Sequence, residues 1–576
     1  MKKTIVRREY RQADADSLNH LHPILRRVYA ARQVGSEKEL DRALESLLPY
    51  QSLLGMDDAV RLLSEAIAAN QKILIVGDFD ADGATSTALA IRALRSFGAE
   101  HLQYLVPNRF AYGYGLTPEL VEAAKQFSPA LIVTVDNGIA NHAGVQAAKD
   151  AGMRVIVTDH HLPAATLPPA DAIVNPNQPD DPFPSKNLAG VGVIFYVMLA
   201  LRRHLVSQGW FEKKHIPEPN MSRLLDLVAL GTVADLVQLD QNNRILVHQG
   251  LRRIRAGQCI PAIIALLELS DREFGRAVAA DLGFSVASRL NAAGRLDDMS
   301  LGIECLLCDD SIRVREIARV LDQLNDERKS IEQDMQAQAL AVLNKLNDSL
   351  NSSLPTGICL FDESWHQGVI GILAARIKDR FHRPVIVFAP GQDGELKGSA
   401  RSISGLHIRD ALAQIDAQYP GLMLKFGGHA MAAGLTIKRD MLDRFAKAFD
   451  EVVSARVTDA QLQHSLMSDG ELPGEDFSLE VASLLRDAGP WGQAFPEPLF
   501  DDTFRVLEQR IIADRHLKLR LGKDDKVIDA VAFFVDTSQW PNYRCQSIRA
   551  AYRLDINEYK GRRNIQLIVE YMEGAD

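Results

Sequence analysis

The sequence predicts a multidomain α/β protein that ends in a small antiparallel barrel, and three observations predict it. Apolar runs of strand length alternate with helix-compatible stretches between residues 72 and 160, Ser311 to Leu354 contains neither proline nor glycine, and the C-terminal fifth reads as short alternating strands. At 576 residues, and roughly 150 residues per domain, there is room for about three or four domains. A single small binding module is excluded.

The runs KILIVG, ALIVTV and RVIVT are each followed by a turn carrying acids and then by a stretch such as Ala84–Phe97 or Asn141–Ala151 that suits a helix. This is the βαβ pattern of a parallel sheet covered by helices. A mostly helical stretch, including Leu224–Leu239, carries the chain to about residue 300. Ile312, Ile317, Leu321, Leu324, Ile331, Met335 and Leu346 then recur at helical spacing. At 1.5 Å per residue this helix is on the order of 60 Å long, longer than a domain is wide, so it reads as a connector between two lobes. After Pro355, GICLF, a helix over Gly371–Phe381 and PVIVFA restore the α/β pattern, with glycine turns at Gly398, Gly405 and Gly427–Gly428. HLKLRL, KVIDAVAFF, IRAAYRLDI and NIQLIVEYM are short strands, and an OB-type barrel closes their edges. The expected segments are an N-terminal helical region (1–50), a parallel-sheet domain (51–300), the connector helix (301–354), a second α/β domain (355–455) and the OB-type domain (456–576).

Lys and Arg total 65 against 75 Asp and Glu, a formal net charge of −10. Coating nucleic acid by bulk charge is thereby excluded; such contact needs a local groove or bound metal. Five cysteines fit a reducing compartment, and the lone pair Cys305 and Cys308, separated by two leucines, reads as helix thiols rather than a zinc or redox site. The N-terminus shows no apolar signal region, and the longest apolar run, around Val191 to Leu201, is too short for a membrane span. The expectation is a cytoplasmic protein without a membrane partner.

In VGDFDADGATSTA, Asp78, Asp80 and Asp82 alternate directly after an apolar strand. If extended, the segment points all three carboxylates the same way, and such crowding needs a cation. A calcium loop fits poorly, because its twelfth position is Leu89 instead of a bidentate glutamate. Asp136 ends ALIVTV, and Asp159-His160-His161 ends RVIVT. All three groups fall at the carboxyl ends of parallel strands, where open α/β sheets bind ligands. Taken singly, each acid could equally cap a helix. Asp235 adds a carboxylate to the apolar segment LVALGTVADLVQL, where an unpaired charge would be costly. Carboxylates with imidazole suit Mg²⁺ or Mn²⁺ better than structural zinc.

DFDADG, VDNG, TDHH and GTVAD, in this order, resemble the four motifs of the DHH phosphoesterase superfamily. SRLNAAGR, WHQGVIGI, KGSARS and GGHAMAAG are similar to signatures of its bacterial single-strand-specific exonucleases, and the resemblance spans the chain. It implies a DHH lobe, a DHHA1-type lobe and an OB domain, with two Mn²⁺ or Mg²⁺ ions held by Asp80, Asp82, Asp136, His160 and Asp235. Asp136 would bridge the ions and His161 would face the scissile phosphate; Asp78 would orient a ligand, cap the turn or touch metal. Substrate contacts would come from Arg109, Arg289, Ser399, Arg401, Gly427, Gly428 and His429, with Trp365 and His366 stacking on a base or packing the lobe. Lys518, Arg520 and the Arg562–Arg563 turn would track a single strand along the barrel. Two lobes bridged by the helix would make a groove for one strand. The implied activity is 5′-to-3′ exonucleolysis of single-stranded DNA to mononucleotides by a monomer, with a single-stranded-DNA-binding protein and a recombination helicase as partners. A small-substrate phosphodiesterase or pyrophosphatase would have no use for the connector and barrel, and a non-catalytic DNA-binding scaffold would have lost ligands.

Overall fold

Strand β1 (Thr4–Arg7) opens the chain in the computed structural model, which describes residues 3–108, 114–350, 354–559 and 561–575. Strands β2 (Ile73–Val76), β3 (Leu102–Leu105), β4 (Leu131–Val135), β5 (Arg154–Thr158) and β6 (Ala172–Val174) form one sheet in the order β3-β2-β4-β5-β6, with every neighbouring pair parallel. β2 and β4 are buried throughout because helices cover both faces. Ile73, Ile75 and Val133 pack with Leu89, Val191 and Ile194, while Leu74, Val76 and Ile132 pack with Leu116, Leu120 and Val145. The chain leaves β2 for β3 on one side and returns to β4 on the other, so the winding order of the strands reverses between β2 and β4, where ligand crevices form in such sheets.

Helix Gly190–Ser207 corrects one expectation. It is long and apolar enough to cross a membrane by length and composition, but its residues from Gly190 to Met198 are buried in the core. The connector also starts later than expected. Helix Ser300–Leu307 ends in extended backbone at Cys308, and the Asp310 carboxylate accepts from the Ile312 amide to begin a new helix, Ser311–Leu350, of 40 residues. All five cysteines are free, and burial pushes the Cys305 thiol up to about 12, which leaves it inert.

Strands β7 (Ile358–Phe361), β8 (Val385–Pro390), β9 (Glu395–Arg401), β10 (Lys425–Gly428) and β11 (Ala432–Lys438) form a second sheet in the order β10-β11-β9-β8-β7. β7 and β8 are parallel and the remaining pairs antiparallel. β12 (Ser465–Ser468) pairs in parallel with β1, so the N-terminal strand belongs with this part of the chain. Strands β13 (Phe500–Ile512), β14 (His516–Lys523), β15 (Lys526–Ala532), β16 (Ser547–Tyr559) and β17 (Arg562–Gly574) close the barrel in the order β13-β14-β15-β17-β16.

Two compact units result, Met1–Arg7 with Asp326–Ser468 and Arg8–Asn325 with Asp469–Asp576. The long helix passes from one to the other. The barrel is thus no separate body: Phe504, Leu519 and Tyr552 share a core with Tyr29 and the first sheet's helices, and the Tyr29 hydroxyl donates to the Ala488 carbonyl at 2.8 Å.

Candidate metal centre

The β2 turn does not run extended through its three acids. Asp80 caps helix Ala81–Ser96, its Oδ1 accepting from the Asp82 and Gly83 amides at 3.0 Å each. A capping carboxylate sits where the macrodipole and free N–H groups favour negative charge, so the helix begins two residues earlier than an extended i, i+2, i+4 array requires. The acids therefore separate. Asp78 and Asp80 group with Asp136, whereas Asp82, in the first helical turn, groups with His160 and Asp235; a third group joins Asp136, His160 and His161. Within each group the candidate ligand atoms lie within 4.8 Å of one another. Asp136 and His160 each belong to two groups.

Neighbouring elements fix these side chains. Asp136 sits at φ +63°, a left-handed conformation that aspartate tolerates better than most side chains. The amide nitrogens of Gly190 and Val191 donate to the two Asp82 oxygens at 2.7 and 3.0 Å. Gly190 has to be glycine for that approach, since a Cβ there would lie 2.5 Å from the Asp136 Cβ. Asn291 accepts from the Ala81 amide at 2.9 Å, and Gly294 packs on the Phe79 carbonyl, so SRLNAAGR braces the acidic turn. Asn175 and Asn177 donate to the His161 and His160 carbonyls at 2.9 and 2.6 Å.

Asp159 Oδ1 lies 2.7 Å from His161 Nδ1 and also accepts from the His160 and His161 amides. Burial alone would raise Asp159 and lower His161, but their mutual charge and hydrogen bond win, holding Asp159 at about 2 and His161 at about 9. His161 is therefore an imidazolium at neutral pH. His160 goes the other way: burial and the neighbouring His161 charge push it down, which leaves a neutral, ligand-competent ring. Burial, then the surrounding acids, raise Asp82 and Asp235 to about 7 and lift Asp136 well above the carboxylate range. The Tyr114 hydroxyl lies 3.2 Å from both the Asp136 carbonyl and His161 Nδ1.

Donor set and geometry fit divalent cations. His160 Nε2 stands 3.1 Å from Asp136 Oδ1 and 3.4 Å from Asp235 Oδ2, yet both His160 Nε2 and Asp136 Oδ1 are buried and make no hydrogen bond. Buried carboxylates that repel one another around an unprotonated imidazole are stabilised by metal rather than by protein cations.

The expected substrate residues fare unevenly. Arg109 lies outside the described residues. Arg289 is buried, its guanidinium 2.7 Å from Asp322 and donating to the Ser285 carbonyl at 2.7 Å, so a phosphate would have to displace Asp322. Trp365 cannot stack on a base: it is 4% exposed, and its indole N–H donates to Gln338 at 2.7 Å. His366 is half-buried and accepts from the Gly368 amide at 3.1 Å. Ser399 and Arg401 share one face of β9, close to Gly371 near the start of helix Ile370–Phe381. Arg401 makes no ion pair among the described residues, and burial lowers its pKa. Gly427 and His429 are exposed; Gly428, at φ +144°, is packed against the Ala432 carbonyl. The barrel's expected track is compensated instead: Lys518 pairs with Asp529 at 4.0 Å, Arg520 with Glu508 at 3.8 Å and Arg563 with Glu558 at 2.9 Å. Sequence reasoning gave no role to Tyr114, Asn175, Asn177, Gly190 or Asn291. Asp159 stands out in the sequence only as part of its motif, although its place beside two histidines is a signal.

The profile of the DHH family, N-terminal domain, matches residues 72–232, that of the DHHA1 domain residues 354–455 and that of the RecJ OB domain residues 468–571. Sheet, acidic carboxyl edge and matched domains define the class as DHH-domain proteins carrying a DHHA1 companion. The single-stranded-DNA-specific exonuclease RecJ of Escherichia coli (strain K12) is 55% identical over 573 residues, 99% of each chain, and that of Haemophilus influenzae is 51% identical over 580 residues, 100% of each. The crystal structure of RecJ in complex with Mn²⁺ from Thermus thermophilus is similar at a TM-score of 0.80 and 29% identity, covering 100% of this chain and 79% of that one. The chain belongs to the RecJ family.

Proposed function

We propose that this protein is a metal-dependent exonuclease that hydrolyses the phosphodiester bonds of single-stranded DNA in the 5′-to-3′ direction, releasing mononucleotides during DNA recombination and repair. The observation that carries the reading is the set of buried acids around His160 at the carboxyl edge of β2, β4 and β5. Asp80, Asp82, Asp136, His160 and Asp235 would hold two Mn²⁺ or Mg²⁺ ions, with Asp136 shared. When bound, such a pair supplies an activated water and neutralises charge on the leaving oxygen.

The protein's own groups do the rest. Asp159 fixes the His161 ring and keeps it protonated, so a positive donor stands beside the acids. The amide nitrogens of Gly190 and Val191 hold Asp82 in place, which leaves its remaining lone pairs for a cation. Asp78, grouped with Asp80 and Asp136, would orient a metal ligand or touch metal itself. In the other unit, Ser399 and Arg401 form an anion cradle: a half-buried guanidinium without an acid partner among the described residues suits a phosphate, which it binds as a fork. Gly427 offers exposed backbone, Gly428 turns the chain at φ +144° and His429 offers an imidazole to the substrate. Free cysteines fit a cytoplasmic setting, a monomer is the proposed working form, and a single-stranded-DNA-binding protein and a helicase are the proposed partners.

Oligonucleotides labelled at the 5′ or the 3′ end, incubated with Mg²⁺, Mn²⁺ or EDTA, test the reading. A 5′ label should appear at once as mononucleotide, a 3′ label should pass through a shrinking ladder, and EDTA should stop both. Preferred turnover of pyrophosphate or dinucleotides, or rapid digestion of blunt duplex without frayed ends, would overturn it.

A further inference from the structure

A groove of about 1300 Å³ runs between the helical layer and the barrel inside the unit that carries the metal centre. One part is lined by Thr232, Val233 and Ala234, which lead straight into Asp235, and by Asn291, which holds the acidic turn; Phe533, just after β15, lines another part. The groove is not positively charged. Arg486 pairs with Asp555 at 2.9 Å, Arg553 with Glu497 at 2.7 Å and Arg563 with Glu558 at 2.9 Å, and Arg276 also contacts Glu558. It does expose large apolar side chains. Phe284 is 84% exposed, Leu236 72% and Phe533 52%.

Local backbone holds two of these residues out. Leu236 follows Asp235 directly and sits at φ +59°, a conformation that leucine rarely adopts. Phe284 lies on a π-helical turn, Leu282–Ala287, a local distortion that recurs at functional sites. Solvent-facing aromatics beside the metal centre, in a groove where most arginines are paired with acids and Arg255 donates to the Ala277 carbonyl at 2.8 Å, fit a ligand with flat apolar faces better than a bare polyanion.

From this we infer that Leu236, Phe284 and Phe533 are apolar contacts for the bases of the DNA strand beyond the scissile bond, held by stacking more than by phosphate charge. The inference rests on the exonuclease reading and deepens it, because it says how the enzyme would favour long strands over short ones. Stacking is indifferent to sequence, and its strength depends weakly on salt.

The test compares the full-length wild type with Phe284→Ala/Phe533→Ala on a long oligothymidylate and on a trinucleotide. The variant should raise KM for the long strand roughly tenfold, leave its kcat unchanged and leave the trinucleotide unaffected. A 2-aminopurine inside a long strand, bound to the wild type in EDTA, should be quenched, and added sodium chloride should leave the long-strand advantage largely in place. Equal losses on both substrates, unchanged kinetics on both, an unquenched probe or an advantage that salt abolishes would overturn the inference. A wild type inert on every strand would instead sink the exonuclease reading.

Discussion

The two sheets leave opposite charges unsatisfied. At the carboxyl edge of β2, β4 and β5, acids crowd around a neutral imidazole, and burial with mutual repulsion lifts Asp82 and Asp235 to about 7. On β9, Arg401 is half-buried with no acid partner among the described residues, and burial alone depresses it. A protein stable by itself would have paired such groups internally, as the barrel pairs Lys518 and Arg520. On the proposed reading, each sheet is finished by something from outside, a cation at one and an anion at the other.

Removing the acid shared between groups strikes the first sheet hardest. Asp136→Ala should lower turnover on the order of a thousandfold or more while leaving strand binding and the melting temperature largely intact, as read by steady-state kinetics and thermal melts. Near-normal turnover would remove Asp136 from the shared position. Arg401→Ala does the same to the second sheet: KM should rise about tenfold or more with a smaller change in kcat, and Arg401→Lys should not restore it, because an ammonium lacks the fork.

The unsatisfied acids also set a pH dependence that the arginine does not. Asp82 and Asp235 shift from the ordinary 3.8 to about 7 in the folded chain, so between those values the folded state binds more protons and stability falls as pH rises. His161, raised to about 9, contributes stability that is full below 6.5 and lost as pH rises through 9, which adds in the same direction. Asp159, held at about 2, matters only in strong acid, where its contribution is lost as pH falls from 3.8 through 2. Depressed histidines, His160 and also His248 and His464 at about 4, act in the opposite direction below 6.5. The melting temperature of EDTA-treated protein should therefore drop from about pH 7 to pH 9, and Mn²⁺ should flatten the profile by raising the alkaline end. Trp365, on the unit that carries Arg401, should matter least. Its replacement by Phe removes the indole donor to Gln338 Oε1 and should cost about 1 kcal/mol of stability without changing KM; a raised KM would return Trp365 to the substrate surface.

Much of this arrangement was legible in the sequence because its carriers are local. Continuous apolar runs mark β2, β4 and β5, and the absence of proline and glycine marks the long helix. What escaped depends on contacts distant in sequence. β3 breaks its apolar residues with Gln103, β6 is short, β13 carries Asp501 and Asp502 directly after Phe500, which blur its apolar alternation, and β1 is recruited by β12 more than 450 residues away. The site followed the same rule. Its acids and histidines stood out in motifs, but that Asp80 would cap a helix, that helix Gly190–Ser207 would clamp Asp82, that Asp322 would engage Arg289 and that Trp365 would be buried are all decided by packing.

Calorimetric titration of Mn²⁺ into the metal-free chain counts the cations that the crowded acids demand. Uptake of two ions per wild-type chain, falling to one or none in Asp136→Ala, is the predicted result. A wild type that takes up no manganese would contradict it.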